Sequence, residues 1–227
     1  MEICLSNRLK SLVSFVIPGE KVANVGTDHG FIPIYLSVKE LSPCPIASDV
    51  RQGPLLTARR NAAQYGVEDR ISFRLSDGLA AIDREEADTI ILAGMGGETI
   101  LHILEAAPWS LEKKLILQPQ SKTQELTAWL AGQGCFPESV RLAEDAGIYY
   151  TIFLFRRGPD PGCDLWELLY RTRDPLLAAA AKVEAEKLRR ALDTLKRSNT
   201  ERAQRSRAAL EEQYGRICGV LEEALKW

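Results

Sequence analysis

A chain of 227 residues with 45% apolar side chains can build one domain of ordinary size plus an appendage, or two small domains. With 29 basic and 31 acidic residues the net charge is −2, so any signal for nucleic acid has to be local. Five scattered cysteines without a Cys-x-x-Cys pair, and only two histidines, argue against a disulfide framework and against a metal centre. The thiols read as reduced and cytoplasmic, and neither a signal peptide nor a membrane span is expected from any apolar run.

In chain order, Leu5, Leu9, Leu12, Val13 and Val16 follow helical spacing, with Ser6 or Asn7 placed to cap and Pro18-Gly19 to stop. A short apolar run over 22–25 reads as a buried strand. It ends in Gly26-Thr27-Asp28-His29-Gly30, and residues 31–41 read as a helix, with Pro33 early enough that its missing N–H costs little. Strand, glycine turn and helix is how a doubly wound α/β sheet builds a cofactor site. The turn also discriminates between cofactors. A dinucleotide fingerprint beginning at Gly26 needs glycines at 28 and 31, and these positions hold Asp28 and Phe31. A carboxylate there repels a pyrophosphate and attracts a cation. S-adenosylmethionine, with a sulfonium, an ammonium and no phosphate, fits that requirement. An ordinary strand-to-helix turn with two glycines is the competing reading.

Residues 45–49 form a second predicted strand whose last residue, Asp49, lies 19 positions after Gly30. An acid at about that distance meets the ribose hydroxyls of an adenosine cofactor, with Val50 beside it. Asp49 is equally suited to cap the helix over 54–65, which Gly66 stops. A third strand, 71–75, runs into Ser76-Asp77-Gly78 at the sheet end where ligands lie. Asp77 can accept from an adenine amino group or simply cap a turn. The near-continuous apolar run 88–93 reads as a central parallel strand. Behind it, Gly94-Met95-Gly96-Gly97 leaves bare backbone for a flat base or a methionine tail, or else makes a flexible turn. A helix over 98–106 carries His102, read as packed or at the surface. A fifth strand, 114–117, precedes Gln118-Pro119-Gln120, whose amides can meet a base edge or serve the turn. After a helix over 123–132, strands 136–144 and 148–155 are joined by Asp145-Ala146-Gly147, and the second has high β propensity.

The fold expected is therefore α/β: a Rossmann-like, mostly parallel sheet closed by a C-terminal β-hairpin, as in class I methyltransferases. Gly26, Thr27, Asp28, His29, Gly30, Asp49, Val50, Asp77, Gly78, Gly94, Met95 and Gly96 are the candidate cofactor residues. Asp28, Met95, Gln118 and Gln120 are the candidates beside a reacting base. No metal ligands are assigned.

A Pro/Gly cluster over 157–162 reads as a linker, giving expected domains 1–158 and 163–227. Leu177, Ala181, Leu188, Leu192 and Leu195 mark one helix of the tail. Ala203, Leu210, Tyr214, Ile217, Leu221 and Ala224 mark a second with a seven-residue repeat. An antiparallel hairpin is expected, and a monomer is favoured over a dimer. One continuous helix in a dimeric coiled coil is the competitor. Over 187–207, Lys187, Arg189, Arg190, Lys196, Arg197, Arg202, Arg205 and Arg207 face only Asp193 and Glu201. That basic tip suits a phosphate backbone, although a charge run is more commonly a solvated face.

Taken together, V-G-T-D-H-G-F-I-P, A-S-D-V-R-Q-G-P, S-D-G-L, A-G-M-G-G and L-I-L-Q-P-Q resemble the bacterial tRNA adenine-N1 methyltransferases of the TrmK type, which modify adenine 22 in the D-arm of tRNA. The match runs in order over about 5–156, and Pro175-Leu176-Leu177 and the helical tail also fit. This resemblance implies a methyltransferase domain using S-adenosylmethionine, tRNA as substrate, and cofactor roles for Gly26, Asp28, Gly30, Asp49, Asp77 and Gly94. Asn24 stands where the family more often has an acid, and Gln120 where it more often has Asn. The first weakens a bridge to the cofactor amino group, and the second shifts an amide by one methylene. A methyltransferase for a small molecule or protein, and a non-catalytic adaptor with a retained cofactor fold, are the other classes.

Overall fold

The computed structural model describes residues 3–195 and 201–227, without the side chains of residues 201–203 and 205. The chain forms two compact units, residues 1–162 and 163–227.

The first unit is built on seven strands: β1 (Val22–Val25), β2 (Ile46–Asp49), β3 (Ser72–Leu75), β4 (Thr89–Met95), β5 (Lys114–Pro119), β6 (Cys135–Asp145) and β7 (Ile148–Arg157). Their order across the sheet is β3-β2-β1-β4-β5-β7-β6. The first five are parallel, and β7 joins β5 antiparallel. β6 and β7 form the closing hairpin, with Ala146 and Gly147 both at positive φ, the backbone of a tight two-residue turn. Ile90, Ile91 and Leu92 of β4 and Leu115, Ile116 and Leu117 of β5 are wholly buried, as expected of strands covered on both faces. Helices α1 (Asn7–Val13), α2 (Phe31–Val38), α3 (Gln52–Gln64), α4 (Gly97–Ala106) and α5 (Thr123–Gly132) supply that cover.

Several boundaries depart from the sequence reading. α2 stops at Val38, not Leu41, because Glu40 adopts φ 55° and the Leu41 N–H reaches back to the Leu36 carbonyl at 2.8 Å. This is the closure usually made by a glycine. β4 continues through Gly94 to Met95 by way of an irregularity in its pairing with β5. β5 continues through Gln118 and Pro119 for the same reason, so Gln118 belongs to a buried strand and not to a turn.

α1 is fixed at both levels. Ser6 caps it locally, accepting from the Leu9 N–H at 3.4 Å. From the hairpin turn, Asp145 accepts the N–H groups of Asn7 and Arg8 at 3.0 and 2.9 Å. Burial acts to raise the Asp145 carboxyl, but those N–H groups and the Ser6 hydroxyl outweigh it and hold the group below its usual value. At the opposite end of the parallel strands, Lys114 is nearly fully buried and donates to both carboxylate oxygens of Glu20 at 2.6 and 2.8 Å.

The second unit has α6 (Leu165–Arg171), α7 (Leu177–Leu195) and α8 (Glu201–Ala224). Asp164 caps α6, accepting from the Glu167 N–H at 2.9 Å, and pairs with Arg216 at 2.6 Å. The helical spacing does not announce the short α6. α7 and α8 pack along one another through Ala181, Ala185, Leu188 and Ile217, with Leu210, Tyr214 and Leu221 at the margin. The repeat positions 210, 214, 217 and 221 are thus the contact stripe. Among the described residues no helix is long and apolar enough to cross a membrane, and no cluster of His, Cys, Asp and Glu could hold a metal.

Candidate active site

A cleft of about 1210 Å³ opens at the carboxyl ends of β1 to β5. This is where an open parallel sheet binds ligands.

On the β1 side the turn is fixed by its own neighbours. Buried Asn24 accepts from the Thr27 hydroxyl at 3.0 Å, and the Thr27 N–H donates to the Ser48 carbonyl of β2 at 2.9 Å. Asp28 sits at φ 51°, left-handed backbone that Asp tolerates better than most residues. Its N–H points to Asp49 Oδ2 at 3.4 Å, and the Arg51 N–H donates to Asp49 Oδ1 at 3.0 Å. Asp49 is 5% exposed and therefore anchors two turns while still lining the cleft. The helix-cap reading of Asp49 does not hold, because α3 starts at Gln52 with Arg51 at its N-cap and no side-chain cap; Asp49 holds the two turns instead, and each of its oxygens retains a further lone pair for a ligand. Of the two outer glycines, Gly30 is required by space and Gly26 by its backbone at φ 70°, since the Met95 methyl beside Gly26 ends a flexible side chain that can shift. A Cβ on Gly26 would stand 2.7 Å from Met95 Cε, and one on Gly30 2.7 Å from Ala58 Cβ on α3. Gly26 therefore admits the cleft's floor, whereas Gly30 admits helix packing.

Of the predicted cofactor residues, Gly26, Thr27, Asp28, His29, Asp49, Val50, Asp77, Gly78, Gly94 and Met95 line this one cleft. Gly30 and Gly96 do not; Gly30 faces Ala58, and Gly96 faces Ser121. Gln120 lines the cleft, its N–H bonded to the Met95 carbonyl at 2.9 Å. Gln118 does not line it. It is 1% exposed, and its Oε1 accepts from the Gly94 N–H at 3.2 Å and from Arg8 Nη1 at 3.1 Å. Its place is behind the cleft wall, holding the irregular end of β4. The sequence reading missed Arg8, Phe31 and Thr99, which also line the cleft. Phe31 stands at 5.9 Å from the His29 ring. Only Phe31 carried a visible signal, as a large aromatic directly after the turn.

The electrostatics fit a cationic adenosine-bearing donor. Asp28, Asp49 and Asp77 follow one another along the ends of β1, β2 and β3. Val50, 61% exposed, offers an apolar face beside Asp49. His29 Nε2 lies 3.5 Å from Asp28 Oδ2. A pyrophosphate would meet a carboxylate at the very position where it needs bare backbone.

The basic tip is described in part. Lys196 and Arg197 lie outside the described residues, as do the side chains of Arg202 and Arg205. Lys187 pairs with Glu184 at 3.1 Å, Arg190 with Glu186 at 3.8 Å and Arg207 with Glu211 at 2.8 Å. Acids just outside the 187–207 window thus partly offset the charge. Such exposed pairs are worth little and are readily exchanged for a phosphate.

Residues 5–153 match the family described as methyltransferase domain. Over 154 residues the chain is 36% identical to the tRNA (adenine(22)-N(1))-methyltransferase of Bacillus subtilis (strain 168), a match covering 66% of this chain and 65% of that protein. The matched stretch is therefore just under two thirds of that relative's length. Among solved structures, the B. subtilis m1A22 tRNA methyltransferase TrmK superposes with a TM-score of 0.83 at 26% identity, covering 97% of this chain and 100% of that one. A Streptococcus pneumoniae protein provisionally named a tRNA (m1A22) methyltransferase, solved in complex with S-adenosyl-L-methionine, superposes with a TM-score of 0.81 at 30% identity over 96% of this chain and 100% of that one.

Proposed function

Because the chain belongs to the TrmK-type family of tRNA adenine-N1 methyltransferases, we propose that it transfers a methyl group from S-adenosylmethionine to N1 of adenine 22 in the D-arm of tRNA. The observation that carries this reading is the β1 turn. A carboxylate replaces the pyrophosphate-binding glycine, and it shares one cleft with Asp49 and Asp77.

When bound, the donor supplies an electrophilic methyl on a sulfonium. Asp49 would hold the ribose hydroxyls, Val50 and Gly78 the faces of the adenine, and Asp77 its amino group. Gly26, Thr27, His29 and Gly94 would shape the path of the methionine tail. N1 of the target adenine carries an in-plane lone pair, so no proton has to leave first and no general base is required. Rate then comes from in-line positioning and from a carboxylate near the cation that forms on the base. Asp28 fills that role. N1 lies on the pairing edge, so the base has to be turned out into the pocket, where Met95 and Gln120 would flank it. Gln118 acts behind them, through the backbone of Gly94.

In this reading residues 1–158 are the catalytic domain, and residues 163–227 a helical domain that tracks the tRNA backbone with its basic tip. Reversing Lys196, Arg197, Arg202 and Arg205 is expected to weaken tRNA binding and flatten its salt dependence by about three units of log–log slope, in proportion to the phosphates left without a neutralising cation. Unchanged affinity and slope would return the tip to a solvated face. The reaction itself is tested by nucleoside mass spectrometry, after incubating the protein with donor and unmodified tRNA transcripts. Appearance of 1-methyladenosine, lost when adenine 22 is replaced, is the expected result. Donor binding without any 1-methyladenosine would point to a small-molecule or protein substrate, and absence of donor binding to a non-catalytic adaptor.

A further inference from the structure

Met95 is pinned in its main chain and free in its side chain. β1 pairs with β4 only as far as Val25 opposite Leu92, so Ala93, Gly94 and Met95 run past the end of β1. Gly94, at φ 78°, turns this overhang. The Gly94 N–H donates to Gln118 Oε1 at 3.2 Å, the Gln120 N–H to the Met95 carbonyl at 2.9 Å, and the Gly97 N–H to the Ser121 carbonyl at 2.9 Å. The Met95 side chain, half-buried in the cleft wall, folds back over the end of β1. Its methyl carbon lies 2.7 Å from where a Cβ on Gly26 would stand. An unbranched side chain ending in a soft thioether can leave that position while the backbone stays where it is.

The thioether thereby divides the cleft. The strand order puts Asp28, Asp49 and Asp77 on one side of it, at the ends of β1 to β3, and Gln120 on the other, just beyond β5. Resting on the reading of the cleft as a donor site, we propose that Met95 is a positioning residue moved by the donor. The methionine tail takes the place on Gly26 that the thioether holds in this structure, and the displaced thioether becomes the wall against which the target base packs. A thioether methyl and a donor atom in contact with the Gly26 backbone cannot occupy the same place. The move costs little, because the three backbone bonds around Met95 are untouched by it and the sulfur gains an aromatic neighbour, a favourable contact for a thioether. The donor thus completes part of the acceptor's site. By linkage, the acceptor binds the donor-loaded protein more tightly than the protein alone.

Met1 and Met95 are the chain's only methionines, so isotopic labelling of the methionine methyls reads Met95 directly by nuclear magnetic resonance. In the protein alone, the Met95 methyl should show a nuclear Overhauser contact to the Gly26 α-protons. S-adenosylhomocysteine, which carries the whole tail, should abolish that contact and shift the methyl signal. Adenosine, which reaches only the β2–β3 side, should leave it. If the contact survives at saturating S-adenosylhomocysteine, or if adenosine removes it as well, the inference fails. The second measurement is the affinity for unmodified tRNA with and without S-adenosylhomocysteine. The wild type should gain about fivefold or more, whereas Met95→Ala, with no thioether to displace, should gain less than about twofold. No gain in the wild type overturns the inference, and so does an undiminished gain in Met95→Ala, which would leave the side chain a structural role only. A wild type that binds no S-adenosylhomocysteine by calorimetry overturns the donor reading and this inference with it, whereas binding without movement overturns the inference alone.

Discussion

The two sides of the cleft are held by different means. On the β1–β2 side the bonds close over stretches of at most 32 residues: Thr27 to Asn24, three apart, Asp28 to Asp49, 21 apart, and Asn61 to the His29 carbonyl, 32 apart. On the β4–β5 side a bond of similar reach, Gly94 to Gln118 across 24 positions, is joined by bonds from afar. Arg8 reaches Gln118 across 110 positions, and its N–H reaches Asp145 across 137. The first side is a turn that satisfies itself. The second is a wall assembled from both ends of the unit. Damage should stay local on the first side and spread on the second.

The largest effect is expected from Asp28. Asp28→Ala should lose at least ~100-fold in methyl transfer, about 2.7 kcal/mol of activation free energy, with the melting temperature little changed. Asp28→Asn, which keeps a side chain tolerant of left-handed backbone, should lose a similar factor through charge alone. Steady-state turnover and thermal melts on both variants check this, and near-normal turnover would remove Asp28 from the mechanism. Next comes Gln118→Leu, which leaves the Gly94 N–H without its acceptor. A loss of about 1–3 kcal/mol in urea unfolding is expected, together with weaker donor binding, because the wall moves with its support. A stable variant with unaltered donor affinity would sever the link between buried amide and cleft. Gly30→Ala should cost about 1–3 kcal/mol from the close approach to Ala58 on α3, with strain at φ 74° added. The smallest of these effects belongs to Asp145→Ala, at about 1 kcal/mol, the usual worth of an acceptor at a helix start. It also carries a pH signature. The Asp145 carboxyl is held below its ordinary value of 3.8, so its contribution is present above that value and fades as the pH falls beneath it. The stability gap between wild type and variant should therefore close in acid.

Glu86 provides the control away from the cleft. Its carboxylate accepts two bonds of 2.6 Å from Arg74, and this hydrogen bonding, helped by the Asp83 N–H, lowers it from 4.5 to about 2. The pair is a third exposed, so its worth is at most about 1 kcal/mol. That stability is present above pH 4.5 and lost as the pH falls towards 2. Glu86→Gln should narrow the acid arm of the melting curve without touching turnover.

What the sequence discloses follows the same division. The β1 turn was legible because its chemistry is contiguous: two glycines, an acid in place of a third, and a second acid after one helix. The parallel strands were legible because continuous apolar runs mark them. Gln118 was misplaced, since the apolar run ends at Leu117 while pairing with the irregular end of β4 carries the strand two residues further. Arg8 had no signal at all. An arginine on the polar flank of a short helix looks like any surface charge until a partner 110 residues away is brought beside it. α2 ended early because Glu40 took a backbone usually left to glycine, which no periodicity announces. In the helical tail, the seven-residue repeat identifies the packing stripe, and the acids that offset the basic run, Glu184, Glu186 and Glu211, lie just outside residues 187–207.

The bond between Asp145 and the start of α1 has a temporal side. A chain leaves the ribosome from its N-terminus, so Arg8 emerges 137 residues before the turn that will hold it. The glycine turn, Asp49 and Asp77 can all be in place while β6 and β7 are still unmade. The nascent unit would then present an acidic half-site with no opposing cation and an unanchored first helix. Only when the last hairpin closes does the wall acquire its charge. The anchoring of α1 by Asp145, and with it the place of Arg8 in the wall, thus waits for the last hairpin of the unit.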